Sequence, residues 1–123
     1  MRCLPKSHPN LVRLFATFQT RKYLYYIMEL MPMSLEDYLE QVGYPQMSEH
    51  ATTVLMSQIF QGLKAIHKAQ VIHNDIKTGN ILLSATGRVK ITDFGLATWT
   101  PYAGDCGTPV SYTHLTLPTI YSV

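Results

Sequence analysis

Three oxygen-bearing side chains near the middle of the chain have the types and spacing that phosphate chemistry needs. Asp75 and Asp93 each follow a short apolar run, and Asn80 lies between them in sequence. Carboxylate or amide oxygens, together with phosphate oxygens, make a typical magnesium site. Lys77 adds a positive charge two residues from Asp75. A proton acceptor, a cation and two metal ligands are the groups that phosphoryl transfer requires.

Short strands and turns should hold these residues. The apolar runs at 71–72, 81–83 and 89–91 predict three short strands, and residues 85–88 predict a turn between the last two. The segment from 98 to 107 is predicted to be a loop.

Two helices are predicted before this region. Ser34 is a typical N-cap residue followed by two acidic residues, which predicts a short helix that ends near Gly43. A longer helix is predicted from Ser48 to about Lys68, because apolar residues recur there in steps of three and four. The positions expected to lie in the core are Ala51, Val54, Leu55, Ile59, Leu63 and Ile66.

The region before the helices predicts an antiparallel hairpin. Leu11 to Phe18 and Tyr23 to Met28 both read as strands, and a short polar link joins them. The sequence Met-Pro-Met at 31–33 then interrupts the strand pattern.

Composition indicates one small globular domain with no nucleic-acid or membrane role. The chain has 123 residues, of which 46% are hydrophobic and 15% charged, and its net charge is only +2. No run approaches the roughly 18 apolar residues of a membrane helix, and residues 1–10 do not resemble a secretory signal. Cys3 and Cys106 are expected to be free thiols rather than a disulfide or metal pair. The expectation is an intracellular protein, with cytoplasm and nucleus not distinguished.

The segment from His73 to Asn80, followed by Asp93-Phe94-Gly95, resembles the catalytic loop and magnesium motif of protein kinases. That family carries the pattern H-R-D-L-x-x-x-N and then D-F-G. Seven positions agree in residue type and spacing: His73, Asp75, Lys77, Asn80, Asp93, Phe94 and Gly95. Lys77 and the Gly-Thr pair at 107–108 are similar to the serine/threonine branch of the family. The stretch from Phe94 to Thr98 has a faint polo-like character.

The resemblance implies an α+β fold, namely a truncated two-lobe kinase domain over residues 1–109. It would contain the end of the small-lobe sheet, the hinge and the first part of the helical large lobe. The implied reaction transfers a phosphoryl group from ATP, with Mg²⁺, to a Ser or Thr hydroxyl of a protein substrate. Asp75 would orient or deprotonate that hydroxyl and Lys77 would steady the transferred phosphate, while Asn80 and Asp93 would hold the metal.

The resemblance also implies a nucleotide site. Met28 would be the gatekeeper residue, and the backbone C=O of Glu29 and N–H of Met31 would face the adenine. Leu82 would form the floor of the adenine pocket. A further stack of structural contacts is implied for Leu14, Phe94 and His73.

One departure from the family pattern concerns regulation. Asn74 stands where the family usually has an arginine, which pairs with a phosphate on the activation segment. A neutral amide cannot form that charged pair. We therefore expect that phosphorylation of the segment, at Thr98, Thr100 or Thr108, is not the main switch of activity.

Other departures concern the two ends of the match. The glycine-rich loop, strand lysine and helix glutamate of the family are not found in these residues, so the chain alone is expected to be poorly soluble and inactive. The resemblance ends after Pro109, and the uncharged segment 110–123 is expected to be a disordered or foreign tail, with a divergent loop as the alternative. Two other functions remain open: a pseudokinase or scaffold that binds nucleotide or partners without transfer, and an unrelated interaction domain.

Overall fold

The computed structural model describes residues 7–43 and 47–100. The expectations for Cys3, Cys106, Thr108 and the tail 110–123 lie outside these residues. Within them, the elements are β1 Leu14–Gln19, β2 Leu24–Met28, β3 Met33–Ser34, α1 Leu35–Val42, α2 Glu49–Lys68, β4 Val71–Ile72, a 3-10 turn Thr78–Asn80, β5 Ile81–Leu83, β6 Val89–Ile91 and β7 Thr98–Trp99. This mixture of short antiparallel strands and helices confirms the α+β class.

Strands β1 and β2 form the predicted antiparallel hairpin, with Thr17 opposite Tyr26 and Leu14 opposite Met28. The hairpin is closed by Thr20, whose backbone N–H donates to the Tyr23 carbonyl at 2.8 Å. The rings of Phe18 and Tyr25 stack across the pair with centroids 4.6 Å apart. Such cross-strand aromatic contacts stabilise a two-stranded ribbon that has little else to pack against.

The first strand begins three residues later than predicted. Leu11 is buried and forms a parallel bridge to Ile91 of β6 instead of continuing β1. The Val12 N–H donates to the Ile91 carbonyl at 3.0 Å, and the Ile91 N–H donates to the Asn10 carbonyl at 2.9 Å. The apolar run at 11–18 is therefore divided between two partners: Leu11 pairs with β6, and the residues from Leu14 onward pair with β2. Burial in the core stabilises the Leu11 side chain more than a position in the exposed hairpin would.

Helix α1 begins at the predicted cap. The Ser34 hydroxyl accepts from the Asp37 N–H at 3.1 Å, and the Asp37 carboxylate accepts from the Ser34 N–H at 2.9 Å, which makes a capping box. The Ser34 hydroxyl also donates to Oδ2 of Asp37 at 2.7 Å, and this bond, followed by the one from the Ser34 N–H, lowers the pKa of Asp37. The helix is closed by Gly43, which has φ of 75°. Glycine adopts this left-handed conformation freely, whereas it is strained for other residues.

Strand β3 was not predicted from the sequence. Met33 and Ser34 pair with Leu83 and Leu82 of β5, so Ser34 belongs to a sheet and caps a helix at once. The Met-Pro-Met segment hides this pairing, because proline usually ends a strand pattern.

Helix α2 runs over the predicted span, and the Ser48 hydroxyl accepts from the Ala51 N–H at 3.1 Å. Ile59 and Ile66 are buried as expected. The prediction was wrong for Ala51 and Val54, which are exposed. The buried residues of α2, Ile59, Gly62 and Ile66, all lie in the second half of the helix.

The sheet of β3, β5 and β6 divides its side chains between two faces. Val89, Ile91 and Ile81 are almost fully buried and join the core against α2. Lys90 and its cross-strand neighbour Leu82 point to the opposite face, because side chains alternate along a strand. One face of this sheet is therefore core, and the other carries candidate site residues.

The predicted loop from residue 98 starts with a strand. Val71 and Ile72 of β4 pair with Trp99 and Thr98 of β7 in antiparallel register. A two-residue strand leaves almost no sequence pattern, so only the tertiary partner reveals it.

We expect Gly62→Ala to destabilise the protein by up to about 2 kcal/mol, because an overpacking cost of about 1–3 kcal/mol is partly offset by a gain of about 1 kcal/mol in helix propensity. A Cβ atom at this buried position of α2 would lie 2.8 Å from the Asn10 carbonyl oxygen and 2.9 Å from Cδ1 of Ile91. This overpacking exceeds the roughly 1 kcal/mol by which alanine favours a helix over glycine. The measurement is the free energy of unfolding of the purified protein. The control is Ser57→Ala, at an exposed position of the same helix, which should leave stability unchanged or slightly higher. Equal or higher stability of Gly62→Ala would contradict the close approach.

Candidate active site

His73 anchors the loop that carries the predicted catalytic residues. Its ring is buried, and Nε2 lies 2.8 Å from the carbonyl oxygen of Thr92. Nδ1 accepts a hydrogen bond from the Asp75 N–H at 3.2 Å. A carbonyl only accepts and an N–H only donates, so the two partners assign the neutral tautomer with its proton on Nε2. The imidazole thereby holds the backbone of Asp75 at a fixed place relative to Thr92.

The Asp75 carboxylate is held by two neighbours. Nδ2 of Asn80 donates to Oδ2 of Asp75 at 3.0 Å and to the Asp75 carbonyl at 2.9 Å. Nζ of Lys77 lies 3.4 Å from the same Oδ2, and the Lys77 side chain is 61% exposed against 25% for Asp75. The structure therefore brings Asp75, Lys77 and Asn80 together, with the ammonium reaching toward solvent and the amide buried beneath.

Thr92 joins this loop to Asp93. Its carbonyl faces His73, and its N–H donates to the Asn80 carbonyl at 3.0 Å. Asp93 follows with φ of 59°, a left-handed conformation that aspartate tolerates better than most residues. Oδ1 of Asp93 accepts from the Gly95 N–H at 3.1 Å, which fixes the turn.

Phe94 completes the contact between the two motifs. Its ring centroid lies 4.9 Å from that of His73, as the resemblance implies. Leu14, the third residue of that implied stack, lies in β1 and is 48% exposed.

The predicted nucleotide-contacting residues lie around an ion pair that the sequence did not reveal. Nζ of Lys90 lies 2.6 Å from Oε1 of Glu29, and that oxygen also accepts from the Arg13 N–H at 2.7 Å. Both charged side chains are largely shielded, with 14% of Lys90 and 23% of Glu29 exposed. Leu82 projects from the same sheet face as Lys90, so it lies on the side of the sheet that faces Glu29.

Met28 and Met31 flank the pair Glu29 and Leu30 in sequence. Met28 ends β2, Met31 follows the strand, and both are half-buried. Leu30 between them is 89% exposed. The Glu29–Lys90 ion pair places the segment 28–31 beside Lys90. Lys90 itself lies three residues before Asp93 in sequence.

The donor atoms present fit a hard cation. Asn80 directs its amide nitrogen to Asp75, which leaves its amide oxygen on the other side, and Asp93 supplies a carboxylate. Oxygen ligands of these two kinds suit Mg²⁺. Residues 7–43 and 47–100 contain no group of three or more His, Cys, Asp or Glu side chains that could hold a metal.

Several long-range polar contacts escaped the sequence reasoning. Lys90 interrupts the apolar run at 89–91, and this interruption indicates that the strand has a second, polar face. It does not indicate that the partner of Lys90 is Glu29, 61 residues away. Asn10 is buried, and its Nδ2 donates to the Val89 carbonyl at 3.0 Å. Gln58 of α2 accepts from the Val89 N–H at 3.0 Å and from Asn10 at 3.3 Å. A polar residue on a helix or in a turn does not by itself indicate which distant group it will bond to.

The protein kinase domain family matches residues 1–115 of the chain. The chain belongs to the protein kinase family. The α+β fold is therefore that of a truncated two-lobe kinase domain. The boundary at residue 109 and the interpretation of 110–123 stay predictions.

Within 7–43 and 47–100, none of the helices of this kinase is long and apolar enough to cross a membrane.

Several kinases are similar to this chain. Sperm motility kinase 3A of Mus musculus is 38% identical over 93 residues, which are 75% of this chain and 18% of that protein. Serine/threonine-protein kinase cot-1 of Neurospora crassa is 42% identical over 91 residues, covering 73% and 15%. Serine/threonine-protein kinase PLK4 of Drosophila ananassae is 36% identical over 109 residues, covering 84% and 14%, which lends the polo-like character only weak support. The chain spans less than a fifth of each of these relatives.

We expect Lys90→Met to lower the free energy of unfolding of the kinase by about 1.5–3 kcal/mol, the range for hydrogen bonds to charged groups. The change leaves the shielded Glu29 carboxylate without its cation, while the methionine keeps most of the side-chain volume. Chemical denaturation monitored by fluorescence measures the effect.

The matched control for this change is Glu29→Gln. Its amide oxygen still accepts from Arg13 and Lys90, so the loss should be smaller. Unchanged stability of Lys90→Met would show that the ion pair contributes nothing.

Proposed function

We propose that the full-length protein transfers the γ-phosphoryl group of ATP to Ser or Thr side chains of protein substrates, with Mg²⁺. The observation that carries this proposal is the shared anchoring of the two motifs on Thr92. Because His73 and Asn80 both bond to Thr92, the proton acceptor Asp75 and the ligand Asp93 belong to one rigid unit. Fixed relative positions of this kind are the main contribution of a protein to phosphoryl transfer.

In the proposed reaction Asp75 accepts the proton of the substrate hydroxyl. The hydroxyl oxygen forms a bond to the γ-phosphorus, the bond from that phosphorus to the bridging oxygen breaks, and ADP leaves. Asn80 and Lys77 hold Oδ2 of Asp75, so we assign Oδ1 the contact with the hydroxyl. The exposed Lys77 ammonium reaches the transferred phosphoryl group and offsets its charge.

We assign the metal to the amide oxygen of Asn80 and the carboxylate of Asp93. Bound there with the phosphates, Mg²⁺ would neutralise the charge that develops on the phosphate oxygens. The hydrogen bond from Asn80 to Asp75 keeps the amide from rotating, and the Gly95 N–H does the same for Asp93.

The adenine is proposed to bind along residues 28–31. The backbone C=O of Glu29 and N–H of Met31 would recognise its edge, with Met28 at the back and Leu82 beneath. The Glu29–Lys90 ion pair supports this assignment, because it ties the segment to the strand that leads to Asp93.

A serine or threonine acceptor is proposed for two reasons. Lys77 follows Asp75 at the spacing that resembles the serine/threonine branch, and relatives such as cot-1 carry that description. A pseudokinase would keep the fold without transfer. The presence of Asp75, Asn80 and Asp93 in hydrogen-bonded positions favours transfer.

Asp75→Asn in the full-length protein should lower turnover of a protein substrate by about 10²–10⁴-fold, the usual contribution of a general base. ATP affinity should change little, because the substitution keeps the size of the side chain. Asp93→Asn should instead abolish magnesium-dependent turnover and weaken binding of the Mg–ATP complex, because the hard cation loses an anionic ligand. Radiolabelled phosphate incorporation and calorimetric nucleotide binding measure the two effects.

Asp37→Asn is the matched control for both variants. Asp37 bonds to Ser34 in the capping box of α1, and an asparagine oxygen can accept the same bonds, so turnover should stay near the starting value. If Asp75→Asn retained full turnover, Asp75 would not be the proton acceptor. Nucleotide binding without turnover in the unmodified protein would indicate a pseudokinase.

A further inference from the structure

A cavity of about 440 Å³ lies where three segments meet: residues 9–10, the middle of α2 and the turn between β5 and β6. Its volume falls in the range of about 300–1,000 Å³ that is usual for ligand pockets. None of its lining residues belongs to the segments 28–31, 73–80 or 93–95. An occupant of this cavity would therefore bind apart from the residues proposed to hold nucleotide and metal.

The side chain of Gln58 connects the three segments. Its Oε1 accepts from the Val89 N–H at 3.0 Å and from Nδ2 of Asn10 at 3.3 Å. Its Nε2 donates to the Gly87 carbonyl at 3.2 Å. An amide whose donor and acceptor ends are both used cannot rotate without losing hydrogen bonds. The walls of the cavity are therefore in place before a ligand arrives, which lowers the entropic cost of binding.

The turn that carries Arg88 is also ordered. The Ser84 N–H donates to the Arg88 carbonyl at 2.9 Å, and Oγ of Ser84 accepts from the Arg88 N–H at 2.9 Å. The Gly87 N–H donates to the Ser84 carbonyl at 3.0 Å. These bonds fix the backbone of Arg88, while its side chain is exposed at the cavity.

Arg88 supplies the charge of the cavity. The other lining residues are neutral, with amide and hydroxyl groups and one proline ring. Among the residues that the structure describes, the ion pairs are those of the candidate site, and neither of them includes Arg88. Over the same part of the chain, the Gln61 side chain has no hydrogen-bond partner either. The cavity therefore presents one uncompensated positive charge beside a free amide.

These groups fit a carboxylate on a peptide. A guanidinium forms two parallel hydrogen bonds to a carboxylate, and one positive charge balances one carboxylate. A phosphate group of about −1.5 to −2 charge would be only partly neutralised by Arg88 alone. The Gln61 amide offers both a donor and an acceptor, which is what a peptide backbone requires of its partner.

We propose that this cavity binds a peptide segment of a protein partner through an aspartate or glutamate side chain. The carboxylate pairs with Arg88, and a peptide group next to it bonds to Gln61. The inference goes beyond the proposed phosphoryl transfer, because neither residue takes part in that reaction. It gives the kinase a contact with another protein that is separate from the site of transfer.

The test is a titration of the full-length protein with the capped pentapeptide Gly-Ala-Glu-Ala-Gly, followed by amide NMR. The resonances of Gln61, Thr86 and Arg88 should shift and reach saturation. The same peptide with glutamine in place of glutamate should bind at least about tenfold more weakly, because the charge-assisted hydrogen bonds are lost. Shifts confined to other parts of the protein would overturn the proposal.

Arg88→Gln should weaken binding of the glutamate peptide by about 10–100-fold, the effect of losing a hydrogen bond to a charged group. Arg88→Glu should reverse the preference, so that the pentapeptide with lysine in the central position binds better. The matched control is Arg21→Gln, which removes the same charge from the exposed link between β1 and β2 and should leave the affinity unchanged. Equal affinity of Arg88→Gln and the unmodified protein would contradict the assignment.

Acetate and inorganic phosphate distinguish a peptide from a free anion. The pentapeptide should bind more tightly than acetate, and Gln61→Ala should reduce this difference, because the amide contacts the peptide backbone. Equal affinity for acetate, or tighter binding of phosphate, would overturn the peptide assignment. None of these measurements needs phosphoryl transfer, so failure of this proposal is distinguishable from failure of the proposed kinase reaction.

Discussion

Strand β6 is held by hydrogen bonds and packing from every direction, and the rest of the molecule is arranged around it. Its backbone pairs with β5 on one edge and with residues 10–12 on the other. Val89 and Ile91 pack into the core, where Gln58 of α2 accepts from the Val89 N–H. A strand enclosed in this way is costly to displace, because each buried backbone group would lose its partner. It gives the site a rigid base.

Residues in and next to β6 connect distant parts of the chain to this strand. Lys90 extends from the strand to Glu29 and so to the segment proposed to hold adenine. Thr92 follows the strand and receives both His73 and Asn80. The same strand therefore sets the position of residues 28–31, of the loop from His73 to Asn80 and of Asp93. A small shift in it would misplace all three groups together.

Charge is used differently in two of the contacts that tie distant segments together. The segment 28–31 is held by the Glu29–Lys90 ion pair, which is largely shielded from solvent, and removal of one partner would leave an uncompensated charge. The start of the activation segment is held by the neutral amide of Asn74. A neutral contact responds less to salt than an ion pair does.

The sequence by itself determined both helices, most of the strands and the family. The helical stripe predicts α2 to within a residue, and the cap predicts the start of α1, because both depend on residues a few positions apart. The spacing from His73 to Gly95 indicates the protein kinase family for the same reason. Only the tertiary structure decided that Leu11 leaves the hairpin for Ile91, that Thr98 joins a strand, and that Lys90 meets Glu29. Those choices depend on burial and on hydrogen-bond partners many residues away, and local periodicity carries no information about such partners.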